Sequence, residues 1–272
     1  MPRAGFELLC LLSQPPADDG PLTAWHPLLQ HLDPDDGHPM TLKFLQAENH
    51  TICRSFLGPD SAILDLGGNK GLFVRAMRET FGCECITVEP NPELYVKLQS
   101  LPLVHALNYA VSGARGDAVF NVDPNNEASS LLANARGDER HTINVKTIDL
   151  VGLLEETKSS HIDLLKVDIE GAEIAMFDAM PDSLASSFGQ ITVEFHDFCG
   201  VPVADIERIM DRFRRLGFCA IKFSKRTYGD VWFLNTRIHP ISQLDFSYAK
   251  FIYRNATGVK RVLARSLSAR AP

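Results

Sequence analysis

Carboxylates and one imidazole crowd two short stretches of the chain: Asp168, Glu170 and Glu173 in Val167-Asp-Ile-Glu-Gly-Ala-Glu173, and Glu194 and His196 in Val193-Glu-Phe-His-Asp197. The chemistry these types suit is proton transfer. A histidine titrates near neutrality, and an adjacent acid can orient its ring. Asp168, Glu170 and His196 are the candidate catalytic set, with His196 or Asp168 as the base and Glu170 and Glu194 orienting. Asp168 and Glu170 follow the apolar run Ile162–Val167, and carboxylates at a strand tip need partners. Glu173 has an ordinary explanation as an acid in the first turn of a helix, where the dipole favours it. The expected site contains no metal, although a single ion held by Asp168, Glu194 and His196 is an alternative use of the same side chains.

A second group lies upstream, where Ala62-Ile-Leu-Asp-Leu-Gly-Gly-Asn-Lys-Gly71 reads as a buried strand breaking into a glycine turn and then a helix. Glycine tolerates positive φ and lets a ligand approach the first amides of the helix. Eighteen positions after Gly71 comes Glu89-Pro-Asn-Pro92, an acid at the tip of the next strand, placed to accept both hydroxyls of a ribose. The turn itself lacks the G-x-G-x-x-G spacing of dinucleotide folds, and Asp65 at its mouth suits an ammonium or sulfonium ligand better than a pyrophosphate. S-adenosylmethionine is therefore favoured over NAD. The expected cofactor-binding residues are Asp65, Gly67, Gly68, Asn69, Gly71, Glu89, Asn91 and Asp168, with adenine against Asn108–Val111.

The elements that must position these residues alternate strand and helix. Strands are expected at 62–66, 85–88, 103–107, 162–167 and 191–195, and helices beginning near Gly71, Pro92, Asp149, Gly171 and Pro202. That order predicts an α/β, doubly wound, mostly parallel sheet, completed to seven strands by a closing antiparallel hairpin at 218–223 and 230–234. Residues 117–122 and 142–146 alternate apolar and polar side chains, as an exposed antiparallel pair does. The stretch Thr41–Leu57 is expected to be a helix with Leu42, Leu45, Ile52 and Phe56 on one face.

Composition bounds the rest. The 272 residues support one large domain, 41–240, preceded by a Pro-rich arm (1–40) and followed by a basic helical tail (241–272). A net charge of -7 excludes general affinity for nucleic acid. Six cysteines without finger spacing are expected to be free thiols. No apolar run reaches the roughly 20 residues of a membrane helix, and a cytoplasmic protein is expected. Neither terminal extension carries a sustained heptad.

In order along the chain, Asp65-Leu-Gly-Gly-Asn-Lys-Gly71, Glu89-Pro-Asn-Pro92, Ser129-Ser-Leu131, Val145-Lys-Thr-Ile-Asp-Leu150, Leu165-Lys-Val-Asp-Ile-Glu-Gly-Ala-Glu173 and Glu194-Phe-His196 resemble the blocks of the FkbM family of S-adenosylmethionine-dependent methyltransferases. The resemblance runs from about Ser61 to Asn235. Gly68 stands where the family commonly has alanine, and Lys70 where it has an apolar or small residue. What the resemblance implies is a Rossmann-like class I methyltransferase fold and methyl transfer to a hydroxyl of a small-molecule or glycan acceptor, such as a sugar or secondary metabolite. It also implies an acceptor loop at 123–130. Two other classes compete: a nicotinamide-dependent oxidoreductase on the same sheet, and a non-catalytic cofactor-binding scaffold.

Overall fold

A computed structural model of the chain describes residues 42–122, 131 and 141–256. The expected arm at 1–40, the loop at 123–130 with its serine pair, and the end of the basic tail at 257–272 lie outside the described residues. The chain is described first in a hairpin of β1 (Phe44–Ala47) and β2 (His50–Cys53), followed by β3 (Ile63–Leu66), α1 (Leu72–Phe81), β4 (Cys85–Val88), α2 (Pro92–Gln99) and β5 (Val104–Leu107). A small sheet of β6 (Ala110–Val111), β7 (Gly116–Val122) and β8 (His141–Ile148) comes next. Then follow α3 (Leu150–Thr157), β9 (Ile162–Val167), α4 (Glu173–Ala179), β10 (Phe188–Val193), α5 (Val203–Arg215), β11 (Phe218–Lys222), β12 (Val231–Asn235) and α6 (Gln243–Tyr248).

The main sheet has seven strands in the order β11-β12-β10-β9-β3-β4-β5. It is parallel except for β12, which pairs antiparallel with both β10 and β11. This is the expected doubly wound, mostly parallel sheet with its closing antiparallel hairpin. Strand order reverses between β3 and β9, which is where ligands bind in such sheets. The β7 and β8 pair is antiparallel, as its alternation predicts. Helices cover both faces: Leu150, Phe177, Ile209 and Phe213 pack on one side against Leu66, Leu165 and Val193, and Phe73, Met77 and Leu98 pack on the other against Ile63 and Leu164. Among the described residues no helix is long and apolar enough to cross a membrane.

The expected helix at 41–57 is instead the β1–β2 hairpin, with Phe44 opposite Cys53 and Ala47 opposite His50. Tertiary contacts decide this. Every residue of β2 is buried, so the strand shows no polar alternation that a sequence pattern could register. Its backbone is claimed by the main sheet: Gln190 accepts from the Cys53 amide at 2.9 Å and donates to the Cys53 carbonyl at 3.0 Å, while Asp230 accepts from the Thr51 amide and hydroxyl at 3.0 and 2.8 Å. A buried helix, its backbone amides and carbonyls bonded internally, would not offer these groups to Gln190 and Asp230.

Register places a polar row on the face beneath this hairpin. Thr87 of β4 lies beside Asp65 of β3, Asp65 beside Lys166 of β9, and Lys166 beside Thr192 of β10. The apolar residues that alternate with them face the opposite layer.

Candidate active site

The glycine turn after β3 is held by its neighbours. The amides of Gly67 and Gly68 both donate to the Val88 carbonyl at 3.0 Å. Gly67 has φ +84, and a Cβ there would come within 1.9 Å of the Asp168 carbonyl oxygen, so the turn and the end of β9 touch backbone to backbone. At Gly68 a Cβ would meet the Thr87 hydroxyl at 2.2 Å; that hydroxyl donates to Asp65 at 3.0 Å. An alanine at 68 therefore has no room here unless Thr87 shifts. Lys70 is exposed, so its charge stands in solvent.

Asp65 is fully buried and faces the sheet interior, where Lys166 pairs with it at 3.0 Å. The Lys166 ammonium also donates to the carbonyls of Gly67 at 2.7 Å and Leu66 at 3.3 Å, and lies 3.5 Å from Asp168. Burial works against the lysine charge, but Asp65 and then Asp168 outweigh it and raise its pKa. Lys166 thus ties the glycine turn to the tip of β9. Its signal in the sequence is a lone cation in the run Leu164-Leu-Lys-Val167, which in a central strand must be paired.

At the end of β4, Glu89 is 5% exposed and accepts from the backbone amides of Asn69 and Asn91, both at 2.8 Å. Burial raises its carboxyl pKa to about 7, against the pull of those two amides. Asn108 secures the same corner by donating to the carbonyls of Glu89 and Pro90 at 2.8 and 3.0 Å. Asn91 itself caps α2, its side chain accepting from the Glu93 amide.

After β9 the backbone turns through Glu170 at φ +53 and Gly171 at φ +102. Glu173 clamps that turn. Its fully buried carboxylate accepts from the Gly171 amide at 3.0 Å, the Ile169 amide at 3.3 Å and His196 Nδ1 at 2.9 Å. Glu173 is therefore more than a helix-start acid. The other ring nitrogen of His196, Nε2, lies 3.1 Å from Glu170 and 3.7 Å from Asp168. Burial disfavours an imidazolium, but the hydrogen bonds to Glu170 and Glu173 prevail and push the His196 pKa up to about 11. The expectation of His196 as base meets this obstacle: both ring nitrogens face carboxylates, Glu173 at Nδ1 and Glu170 at Nε2, which favour the protonated ring.

Asp168 is the meeting point. Burial would raise its pKa, but the Lys166 ammonium foremost holds it well below the carboxylate range. On its far side stand Glu194, whose pKa burial and then Asp168 push upward, and His50 from β2, with Nε2 3.9 Å from Asp168 Oδ2. His50 escapes sequence reading because only the hairpin brings it there.

An open cleft crosses the ends of β3, β4 and β9. Gly67, Asn69, Glu89, Asp168 and Glu170 line it, and Leu94, Tyr109, Ala110, Val111, Phe120 and Leu131 form its apolar wall. Of the other expected residues, Asp65 and Gly68 lie behind the cleft, Gly71 caps α1 at φ +78, and Asn91 contributes its amide through Glu89. The apolar wall includes Tyr109, Ala110 and Val111 of the stretch expected to meet adenine.

The family model of the methyltransferase FkbM domain matches residues 65–219, which include every one of these elements except His50. The chain belongs to the FkbM methyltransferase domain family. It is 27% identical over 164 residues to the hexuronic acid methyltransferase AglP of Haloferax volcanii, the match covering 56% of this chain and 62% of that protein. The chain thus spans about three fifths of the length of that curated relative. Among solved structures, a methyltransferase FkbM from Methylobacillus flagellatus KT aligns with TM-score 0.44 at 9% identity, over 65% of this chain and 44% of that one. A TehB-like SAM-dependent methyltransferase from Corynebacterium glutamicum aligns with TM-score 0.38 at 12% identity, over 66% and 83% of the two chains.

S-adenosylmethionine is the methyl donor of the family, and the residues of this FkbM domain fit it. Glu89 is a buried carboxylate that accepts from two backbone amides and still faces the cleft, an acceptor to which the hydroxyls of a ribose diol can donate. The apolar wall beside it suits a flat base.

Proposed function

We propose that this protein transfers a methyl group from S-adenosylmethionine to an oxygen of a sugar or sugar-like acceptor. The observation that carries the proposal is the cleft at the switch point, lined by Glu89 and by Asp168 and Glu170, with His196 3.1 Å from Glu170. S-adenosylmethionine supplies an already activated sulfonium methyl, so the protein has chiefly to align it with the acceptor oxygen.

In this reading Glu89 accepts the ribose hydroxyls, and Gly67 and Asn69 offer backbone along the methionine part. Asp168 receives the acceptor proton. It is a weak base, but a hydroxyl that is forming a bond to carbon becomes strongly acidic, so a weak base placed beside it suffices. His196 and Glu170 act on position: the imidazolium, gripped by Glu170 and Glu173, fixes the turn that carries Asp168 and offsets part of its charge. The hexuronic acid named for the Haloferax relative makes acidic sugars the first acceptors to try.

The decisive experiment incubates the full chain with labelled S-adenosylmethionine and either hexuronate-containing or neutral oligosaccharides, and follows label by mass spectrometry. Label on a sugar oxygen is the expected result. Thermal stabilisation by NAD and not by S-adenosylhomocysteine, with no transfer to any sugar, would overturn the proposal.

A further inference from the structure

We propose that His50, Asp168 and Glu194 form a binding site for one divalent metal ion, with Mn²⁺ the cation that the donor set fits best. The three residues come from β2, from the end of β9 and from the end of β10, and each can offer one ligand atom, all within 4.8 Å of one another. Metal–ligand bonds of about 2.0–2.6 Å put ligands on opposite sides of an ion about 4–5 Å apart, so the three donors already stand at coordinating separation.

His50 is the observation that points to a ligand. The residue is 1% exposed, its Nδ1 lies 3.2 Å from the Thr192 hydroxyl, and its Nε2 is a buried nitrogen without a hydrogen-bond partner. At 3.9 Å from Asp168 Oδ2, that nitrogen is aimed at the cluster yet too far for a hydrogen bond. With Nδ1–H donated to Thr192, Nε2 presents a lone pair, the arrangement by which a second partner fixes a ligating imidazole.

Charge agrees with the geometry. Asp65, Asp168, Glu170, Glu173 and Glu194 converge here against Lys166 and His196, which leaves negative charge in excess even with His196 counted as a cation. Lys166 is already matched by Asp65 at 3.0 Å. The alternative triad of Asp168, Glu170 and His196 is a poorer host, because both ring nitrogens of His196 are engaged by Glu170 and Glu173. One imidazole with two carboxylates suits Mn²⁺ better than Mg²⁺ or Ca²⁺, which take oxygen, or a structural zinc, which takes thiolate and imidazole.

Any role of the ion in holding acceptor oxygens rests on the methyl-transfer proposal; its binding does not. The test titrates Mn²⁺ into the chelator-stripped full chain, with free Mn²⁺ counted by EPR and the bound ion examined for electron spin-echo modulation by imidazole ¹⁴N. One ion per chain with ¹⁴N modulation is expected. His50→Gln should abolish the modulation, and both His50→Gln and Glu194→Gln should weaken binding at least about tenfold, Glu194→Gln with the modulation kept. No saturable binding, or binding that neither variant weakens, would overturn the site. S-adenosylhomocysteine-induced thermal shifts on the same samples separate the two proposals: Mn²⁺ binding without any such shift in the wild type keeps the metal site and removes the methyltransferase.

Discussion

Lys166→Met is the sharpest probe of how the site is held. It removes the one cation 3.0 Å from Asp65, a carboxylate with no solvent exposure, and leaves Thr87 as the remaining side-chain partner. Breaking a buried ion pair on one side strands a charge and costs about 3–5 kcal/mol. With a urea m-value of about 3 kcal/mol per molar, the unfolding midpoint should fall by about 1–2 M. The companion variant, Asp65→Asn with Lys166→Met, leaves no charge at position 65 and keeps an acceptor for the Thr87 hydroxyl; Asp168 loses its lysine in both variants, so the double variant should recover about half of that loss. Both are measured by urea unfolding followed by circular dichroism at low ionic strength and at 0.5 M salt (roughly a 4 Å screening length), where a buried pair changes little. A fall below about 0.3 M in the single variant, or a double variant no more stable than it, would refute the reasoning.

Other outcomes follow from the same geometry. His196 should carry protons on both ring nitrogens at pH 7.5 by ¹⁵N NMR, because its pKa is pushed up to about 11. The sign is that of a raised histidine: the stability gap between wild type and His196→Gln should be widest below about pH 6.5 and narrow steadily as pH rises toward about 11. Glu89→Ala should weaken S-adenosylhomocysteine binding about 10–100-fold in calorimetry, the loss of hydrogen bonds to a charged group. Wild-type affinity should itself decline as pH falls below about 7, where the Glu89 carboxyl takes up a proton. Gly68→Ala drives a methyl to within 2.2 Å of the Thr87 hydroxyl. It should cost about 1–3 kcal/mol of stability, and thermal unfolding should show part of the loss restored when Thr87→Ala is added.

How much was legible beforehand depended on whether a residue's role lies in its own strand or across strands. The glycine turn, Glu89 and the acids after β9 carry local signatures: small residues where the backbone must bend, and charge at the end of an apolar run. These positions of Gly67, Asn69, Glu89, Asp168 and Glu170 on one cleft follow from strand order alone, since a doubly wound sheet gathers strand ends at its switch point. Asp65 illustrates the limit. Its place at the turn suggests a ligand contact, yet its side chain points into the sheet, where register sets it beside Lys166 and Thr87.

By itself the sequence determined the α/β architecture, the order of the main-sheet elements from β3 onward and the family, because hydrophobic period, glycine position and motif order are all local properties of the chain. Tertiary structure alone decided which charges neutralise one another. The hairpin that carries His50, the Asp65–Lys166 pair, and the double grip of Glu170 and Glu173 that keeps His196 protonated all join residues far apart in sequence. The energy of a buried charge depends on what lies within a few ångströms of it, and that is set by packing rather than by neighbours along the chain.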